Sequence, residues 1–261
     1  MDSTSYSYEN NAHKALSELS PKVLMKLSKR LQQLDQMVTT PYQHIWDCCC
    51  DHGLLGMTLL ARSAAPNIHF VDIVPELMLQ LNSKLTQFFP HSTSAWASHC
   101  IDVKKLPLMQ YPLTESEKHL VIIAGVGGDL MTEFIEEICV NNPNLNIDFL
   151  LCPVHHQFSL RAKLITLNFS LLDEVLLEEN QRFYEILLVS NEPNQSNNVN
   201  AIGDKIWHSD SVEQRTVINN YLVKTLKHYQ RIQQDHSAQA ERAIEHYQAQ
   251  ANKLNFIKSS K

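Results

Sequence analysis

Glycine is scarce in this chain. Its 261 residues include six glycines, where average usage of about 7% predicts roughly 18. Five of the six lie in two short segments, 51–56 (Asp-His-Gly-Leu-Leu-Gly) and 124–128 (Ala-Gly-Val-Gly-Gly). Each segment follows an apolar run and precedes an amphipathic one, so glycine is kept where strands turn into helices. At such turns backbone N–H groups can approach a ligand. This favours a nucleotide-like cofactor over the alternative of two tight turns without a ligand.

Long hydrophobic runs and targeting signals are also missing. No apolar run approaches the roughly 18 residues that span a bilayer, and the first residues lack the basic and apolar regions of a signal peptide. We therefore expect a soluble, cytoplasmic protein. With 44% hydrophobic and 19% charged residues, the chain has enough apolar surface to fold around a core, which excludes a disordered protein.

The six cysteines form no Cys-x-x-Cys pair. This spacing argues against a zinc site or a disulfide framework. The run Cys48–Cys50 is interpreted as small packed side chains in a reducing compartment rather than as a redox centre. The pair His155–His156 does not indicate a metal either, because neighbours on one strand diverge and no third ligand is evident. We expect no metal.

The net charge of −6 argues against a protein that coats nucleic acid nonspecifically. Two stretches nevertheless contain basic residues and no acid. The first holds Lys22, Lys26, Lys29 and Arg30, and the second holds Arg215, Lys224, Lys227 and Arg231. Two basic patches on an acidic body can position a polyanion. The alternative is an ordinary solvated helix face.

The pattern of apolar residues predicts an α/β fold. A first helix is expected over Ser20–Leu34, capped by Ser20. Strands over 43–49, 67–72, a segment ending at 102, 119–124 and 148–152 then alternate with helices over 53–62, 75–88, 129–140 and 158–167. Strands over 171–177 and 182–190 form a closing hairpin. This order predicts a Rossmann-like, mostly parallel sheet with an antiparallel last hairpin, as in class I methyltransferases.

The chain divides into four parts by composition. Residues 1–12 are predicted to be a flexible N-terminus, 13–191 the α/β domain, 192–202 a linker and 203–261 a helical domain. Apolar residues at 4-3-4-3 spacing recur twice after residue 212. They predict an antiparallel, coiled-coil-like helical hairpin, with one continuous helix as the alternative.

Three aspartates follow successive predicted strands, where parallel sheets bind ligands. Asp47 and Asp51 flank the first loop, and their charge would repel a pyrophosphate and attract a sulfonium and an ammonium group. The sequence therefore favours S-adenosylmethionine over NAD, and the absence of a Gly-x-Gly-x-x-Gly fingerprint agrees. Asp72 is placed to accept from ribose hydroxyls and Asp102 from an adenine amino group. The remaining candidate cofactor-binding residues are His52, Gly53, Ile73, Val103, Ala124 and Gly125.

At these positions the sequence resembles the bacterial tRNA (adenine-22-N1)-methyltransferases. The likeness rests on 27–31 (Leu-Ser-Lys-Arg-Leu), the loop from Asp47 to His52, and 124–128. It runs from about residue 20 to the C-terminus, with further matches at 151–153, 173–174, 183–186 and 202–203. The chain departs from the family at 48–50, where Ile-Gly-Ser is usual. It also departs at Cys152 and Val154, where Gln and Asn are common.

The resemblance implies methyl transfer from S-adenosylmethionine to N1 of an adenine in tRNA, adenine 22, after the base leaves its stack. In this interpretation the catalytic residues are Gly125, Val126, Gly127, Gly128 and Tyr184, and Phe183 or Tyr184 stacks on the base. The candidate substrate-binding residues are Lys26, Lys29, Arg30, Pro153, Phe183, Lys224, Lys227 and Arg231. Arg30 has the alternative of pairing with an acid near the cofactor.

Two other functions stay open at this point. The same fold can act on another RNA position, a protein or a small molecule, or it can be a non-catalytic module that binds the cofactor or RNA. The oligomeric state is not readable from the sequence, and a monomer is the default.

Overall fold

A seven-stranded sheet forms the centre of the protein. The computed structural model describes residues 27–194, 196–233 and 238–259, the last five by backbone alone. The strands are β1 (His44–Cys48), β2 (Asn67–Asp72), β3 (Ala95–Cys100), β4 (His119–Ala124), β5 (Ile147–Cys152), β6 (Ser170–Glu179) and β7 (Arg182–Ser190). Their order is β3-β2-β1-β4-β5-β7-β6. The first five are parallel and β7 is antiparallel to both neighbours, which confirms the predicted fold class.

Helices cover both faces of this sheet. They are α1 (Lys29–Met37), α2 (Leu54–Ala61), α3 (Pro75–Phe88), α4 (Gly128–Asn141), α5 (Gln157–Thr166), α6 (Val212–Ile232) and α7 (Ala238–Ser259). Apolar residues of α1, α2 and α3 pack on one face, against strand residues such as Ile45 and Ile122. Those of α4 and α5 pack on the other, against residues such as Val121 and Phe149. None of the described helices is long and apolar enough to cross a bilayer.

The first helix starts later than predicted. Residues 20–26 lie outside the described residues, but Leu27 and Ser28 are not helical, so the single helix predicted over Ser20–Leu34 is wrong. Ser28 caps α1 by accepting from Leu31 N at 3.2 Å, a role that favours non-helical backbone at the serine. Lys22 and Lys26, which were predicted to form a basic patch with Lys29 and Arg30, lie outside the described residues.

The two C-terminal helices fold back on each other. The hydroxyls of Tyr221 and Tyr247 lie 3.4 Å apart, whereas a continuous helix would separate positions 26 apart by about 39 Å. This excludes the continuous helix and supports the hairpin. Residues of both helices share an apolar cluster with Phe158 of α5 and Leu176 of β6. The hairpin therefore packs directly on the α/β part, while the domain boundaries stay a prediction.

A buried ionic network fixes this contact. The Arg161 guanidinium donates to Glu185 at 2.6 Å and to Glu174 at 2.7 Å, and all three side chains are fully buried. Glu174 also accepts from Asp204 N at 2.6 Å and Lys205 N at 2.7 Å. Glu185 accepts from the Tyr221 hydroxyl of α6. Because a buried charge is costly unless fully paired, these contacts hold α5, β6, β7 and α6 in one arrangement.

Histidines lie side by side across adjacent strands of the sheet. His44, His69 and His99 form a ladder across β1, β2 and β3, with nitrogen–nitrogen distances of 3.0 Å at each step. Trp46 stacks on His69 with ring centroids 3.8 Å apart. Its indole N–H donates to His119 Nδ1 at 3.2 Å. Burial lowers the pKa of His69 to about 3 and that of His119 to about 4.

We expect these histidines to make the protein sensitive to acid. Below the ordinary histidine pKa of about 6.5 the unfolded chain binds more protons than the folded one. The free energy of unfolding should then fall as pH drops from 6.5 towards 4, by up to about 1.4 kcal/mol per pH unit for each of His69 and His119. Urea denaturation between pH 7 and 5 measures this slope.

The variant His69→Gln should have a shallower slope, whereas the exposed His91→Gln should keep the wild-type one. Equal pH dependence in wild type and His69→Gln would contradict the interpretation.

Candidate functional site

The loop after β1 is held by the end of β2. The backbone turns through left-handed conformations at Cys49, Asp51 and Gly53, with φ of 54°, 50° and 71°. Asp72, the last residue of β2, accepts from Asp51 N at 3.0 Å through one carboxylate oxygen. Its other oxygen accepts from Val74 N at 3.1 Å. The carboxylate thus orders the loops that follow β1 and β2 at this end of the sheet. The space between these loops and the loop that follows β4 is called the cleft below.

Asp47 lies beneath the same loop. Its carboxylate is buried and accepts from Gly56 N at 2.8 Å. Burial raises the pKa of Asp47 to about 7, against the opposing effect of the Gly56 N–H, and Asp72 adds to the rise. A Cβ on Gly56 would lie 2.3 Å from the Phe70 ring and 2.9 Å from the Asp47 carboxylate. Gly56 is therefore required by packing rather than by a ligand.

The other predicted cofactor-binding residues differ in the exposure of their side chains. Asp51 and His52 are exposed, with 3.7 Å between carboxylate and imidazole. The Ile73 side chain is also exposed, beyond the end of β2. Asp102 accepts from Lys104 N at 2.9 Å and begins a short 3₁₀ turn. Val103 is buried in the core, so only its backbone is available to a ligand.

The second glycine loop presents one open backbone position. Ala124 ends β4, and Gly125 follows with φ of +90°. A Cβ there would meet nothing within 4 Å except Arg30 Nη1 at 4.0 Å. A Cβ on Gly127 would lie 2.2 Å from the His155 ring, and a Cβ on Gly128 would lie 2.4 Å from the His156 carbonyl oxygen. Of these three glycines, only Gly125 therefore leaves its backbone open to a ligand.

Backbone hydrogen bonds join this loop to the one after β5. Gly125 N donates to the Cys152 carbonyl at 3.3 Å, Val154 N to Val126 O at 3.0 Å, and Gly128 N to His155 O at 2.9 Å. His156 Nδ1 lies 2.5 Å from an Asp129 carboxylate oxygen. These contacts tie the two loops together. Sequence reasoning missed this role for His155 and His156, since only the glycines opposite them hinted at it.

Aromatic neighbours on β7 face opposite sides of the sheet. Tyr184 lies under the Arg30 guanidinium, 5.3 Å from the ring centroid. Phe183 instead contacts Tyr221 of α6, with ring centroids 5.7 Å apart, and lies under the Lys224 ammonium at 5.3 Å. Alternation along a strand causes this split. Tyr184 is therefore buried beneath Arg30 on one side of the sheet, and Phe183 belongs to the contact with the hairpin on the other.

The remaining substrate candidates fall into three groups. Lys29, Lys224, Lys227 and Arg231 are exposed, and Lys224 donates to the Gln181 carbonyl at 2.9 Å. Pro153 is buried. Lys26 lies outside the described residues.

The cysteines near the cleft are poor nucleophiles. Burial raises the pKa of Cys49 and of Cys152 to about 12, although the Arg30 charge opposes the rise at Cys152. At such values the thiols stay protonated and unreactive near neutral pH. In the part of the chain that the structure describes, no group of three or more His, Cys, Asp or Glu side chains is arranged to hold a metal.

Comparison with known proteins adds the family. The model of a family described as Methyltransferase domain matches residues 27–187. This chain belongs to that methyltransferase family. A comparison of this chain with curated protein sequences finds no match.

Solved structures share the fold of this methyltransferase over nearly its whole length. A putative tRNA (m1A22) methyltransferase, Streptococcus pneumoniae Sp1610, is 20% identical with a TM-score of 0.62, covering 89% of this chain and 98% of its own. M. capricolum TrmK, solved with the cofactor product S-adenosylhomocysteine, is 16% identical with a TM-score of 0.60, covering 89% and 98%. The B. subtilis m1A22 tRNA methyltransferase TrmK is 20% identical with a TM-score of 0.53, covering 90% and 98%.

The packing at Gly56 yields a test of this geometry. In an ordinary helix Gly→Ala gains up to about 1 kcal/mol. Gly56→Ala should instead cost roughly 1–3 kcal/mol, because the methyl group would overlap the Phe70 ring. Urea denaturation of Gly56→Ala, Phe70→Leu and the double variant should give a favourable coupling between the two changes. A more stable Gly56→Ala would refute the described packing.

Proposed function

We propose that this methyltransferase transfers a methyl group from S-adenosylmethionine to N1 of an adenine in tRNA, adenine 22. The observation that carries the proposal is the open backbone at Gly125, at the edge of the sheet where Asp47, Asp72 and Asp102 lie at or near the ends of β1, β2 and β3. The near-complete overlap with the fold of tRNA (m1A22) methyltransferases supports the choice of substrate.

The residues around the cleft fit this cofactor. Asp72 keeps further acceptor capacity for ribose hydroxyls while it holds the two backbone N–H groups. Asp102 and the exposed Ile73 border the adenine end, and Asp51 with His52 and Gly53 lines the loop beside them. Asp47 acts from below by holding Gly56 N. Ala124 and Gly125 offer backbone to the amino-acid end of the cofactor.

The chemistry asks mainly for alignment. S-adenosylmethionine supplies a methyl group made electrophilic by its sulfonium. Adenine N1 carries a lone pair in the neutral base, so no side chain needs to remove a proton before attack. The protein's part is to hold the flipped base in line and to exclude water. Gly125 offers the open backbone beside the base. The buried Tyr184, with its ring under the Arg30 guanidinium, supports this region from below, and Gly127, Gly128 and Pro153 support the loop by packing.

Methyl transfer into tRNA tests the proposal directly. Purified protein with radiolabelled S-adenosylmethionine should label bulk tRNA and leave protein extract unlabelled, and the label should map to N1 of adenine 22. Asp72→Asn should lower S-adenosylhomocysteine affinity at least about 10-fold in calorimetry, because the amide loses charge and acceptor capacity. The exposed Asp210→Asn should bind as wild type does.

The alternatives predict different outcomes of the same assay. Label at another base would match the altered residues Cys152 and Val154, which stand where the resembled family has Gln and Asn. Cofactor binding without any transfer would favour a passive module. Absence of label in tRNA under varied salt would end the substrate proposal.

We also propose that exposed cations hold the RNA backbone. Lys29 near the cleft, and Lys224, Lys227 and Arg231 on α6, are the exposed candidates, with Phe183 beneath Lys224. The cytoplasmic location and the monomeric state stay predictions.

Salt dependence measures the contribution of α6. The double variant Lys227→Ala/Arg231→Ala should weaken tRNA binding and reduce the steepness of log affinity against log salt by about 1.4 to 1.8, since each lost phosphate contact removes about 0.7–0.9. Fluorescence anisotropy at several salt concentrations gives the slope. The variant Lys84→Ala on α3 is the matched control, and an unchanged slope in the double variant would remove α6 from the interface.

A further inference from the structure

Arg30 is a half-buried cation with no anionic partner among the described residues. Its guanidinium forms no hydrogen bond or ion pair with any of the residues that the structure describes. The other arginine drawn into the protein, Arg161, is paired with two carboxylates. Arg62 is paired with Asp35 at 2.7 Å. Withdrawing a guanidinium from water without acceptors for its five N–H groups is unfavourable. Arg30 therefore has a capacity for an anion that the described residues do not use.

The position of Arg30 limits where that anion can lie. The guanidinium rests on the Tyr184 ring and points one nitrogen to within 4.0 Å of the open side-chain position of Gly125. It also lies near enough to Cys152 to influence the pKa of that thiol. Lys29, the preceding residue, is exposed instead. Arg30 thus faces the interior of the cleft, and Lys29 faces solvent.

The charges along the cleft are otherwise negative. The carboxylates of Asp47, Asp51, Asp72 and Asp102 end or follow β1, β2 and β3, and none of them pairs with Arg30. The cofactor of the proposed function carries two cations, the sulfonium and the ammonium, and one anion, the α-carboxylate. Carboxylates attract the first two and repel the third, so the amino-acid tail needs a cation at the Gly125 end.

We infer that Arg30 binds the α-carboxylate of the S-adenosylmethionine tail, with Tyr184 holding the guanidinium in place. This inference rests on the proposed function, and it moves Arg30 from the substrate-binding group to the cofactor-binding group. A planar guanidinium can donate two parallel hydrogen bonds to a carboxylate, and stacking on an aromatic ring leaves its edge free to do so. An RNA phosphate is the competing ligand, but the exposed Lys29 is better placed for it.

Removing the carboxylate from the ligand and the guanidinium from the protein tests the pairing. Calorimetry should compare S-adenosylhomocysteine with its decarboxylated analogue on wild type, Arg30→Met, Arg30→Lys and the control Lys84→Met on α3. We expect Arg30→Met to lose about 10- to 100-fold in affinity for S-adenosylhomocysteine and less than about 2-fold for the analogue. Arg30→Lys should lose less, because it keeps the charge without the fork. Lys84→Met should bind both as wild type does.

The other outcomes overturn the inference in distinguishable ways. Unchanged S-adenosylhomocysteine affinity in Arg30→Met excludes the contact, and a parallel loss of tRNA affinity would assign Arg30 to RNA. An equal loss for both ligands, with the melting temperature of the free protein unchanged, would mean that Arg30 does not recognise the carboxylate. If wild type binds neither ligand, the proposed function fails first and the Arg30 assignment falls with it.

Discussion

Hydrogen bonding of the Asp72 carboxylate to two backbone N–H groups is the interaction on which the candidate site depends. β2 ends at Asp72, between β1 and β3, so one side chain can reach the loop after β1 and the start of the segment that leads into α3. Asp47 provides a second carboxylate beneath the same loop. Charged acceptors bind N–H groups more strongly than neutral ones do. The loop is therefore fixed by acids that also give the cleft its negative character.

A second set of charges ties the C-terminal hairpin to this framework. Glu185 bonds to Arg161 of α5 and to Tyr221 of α6, and it directly follows Tyr184 in β7. Successive residues of a strand point to opposite faces, so one short segment serves the cleft on one side and the hairpin on the other. The position of Tyr184 thus depends on packing that involves helices far along the chain.

The sequence predicted the elements well where local pattern decides them. β2, α3, β4 and β7 have the predicted bounds, and the other bounds predicted between β1 and β6 differ by at most two residues, because apolar periodicity and turn residues determine them. The first helix failed because Ser28 acts as a cap there rather than as a helical residue. The neighbouring sequence is compatible with Ser28 inside a helix or at its N-cap. Only the structure shows that the Ser28 hydroxyl accepts from Leu31 N and so acts as the cap.

The site was predicted less completely, for a physical reason. The space beside a glycine is limited by residues of other elements, such as Phe70 for Gly56 and His155 for Gly127. Sequence reasoning therefore grouped the glycines by motif and could not separate Gly125 from the rest. Strand alternation alone would have separated Phe183 from Tyr184. The ladder of His44, His69 and His99 gave only one signal, a histidine in each of three adjacent strands.

The buried network around Arg161 has a consequence for dissecting the chain. A fragment ending at residue 202 would retain Glu174 and Glu185 but lose the backbone donors at 204 and 205 and the phenol at 221. Glu174 and Glu185 would then share the Arg161 guanidinium in a region newly opened to solvent, and Phe158 and Leu176 would lose their apolar cover. We therefore expect the α/β part to be unstable without the C-terminal helices, although its sheet is complete in itself.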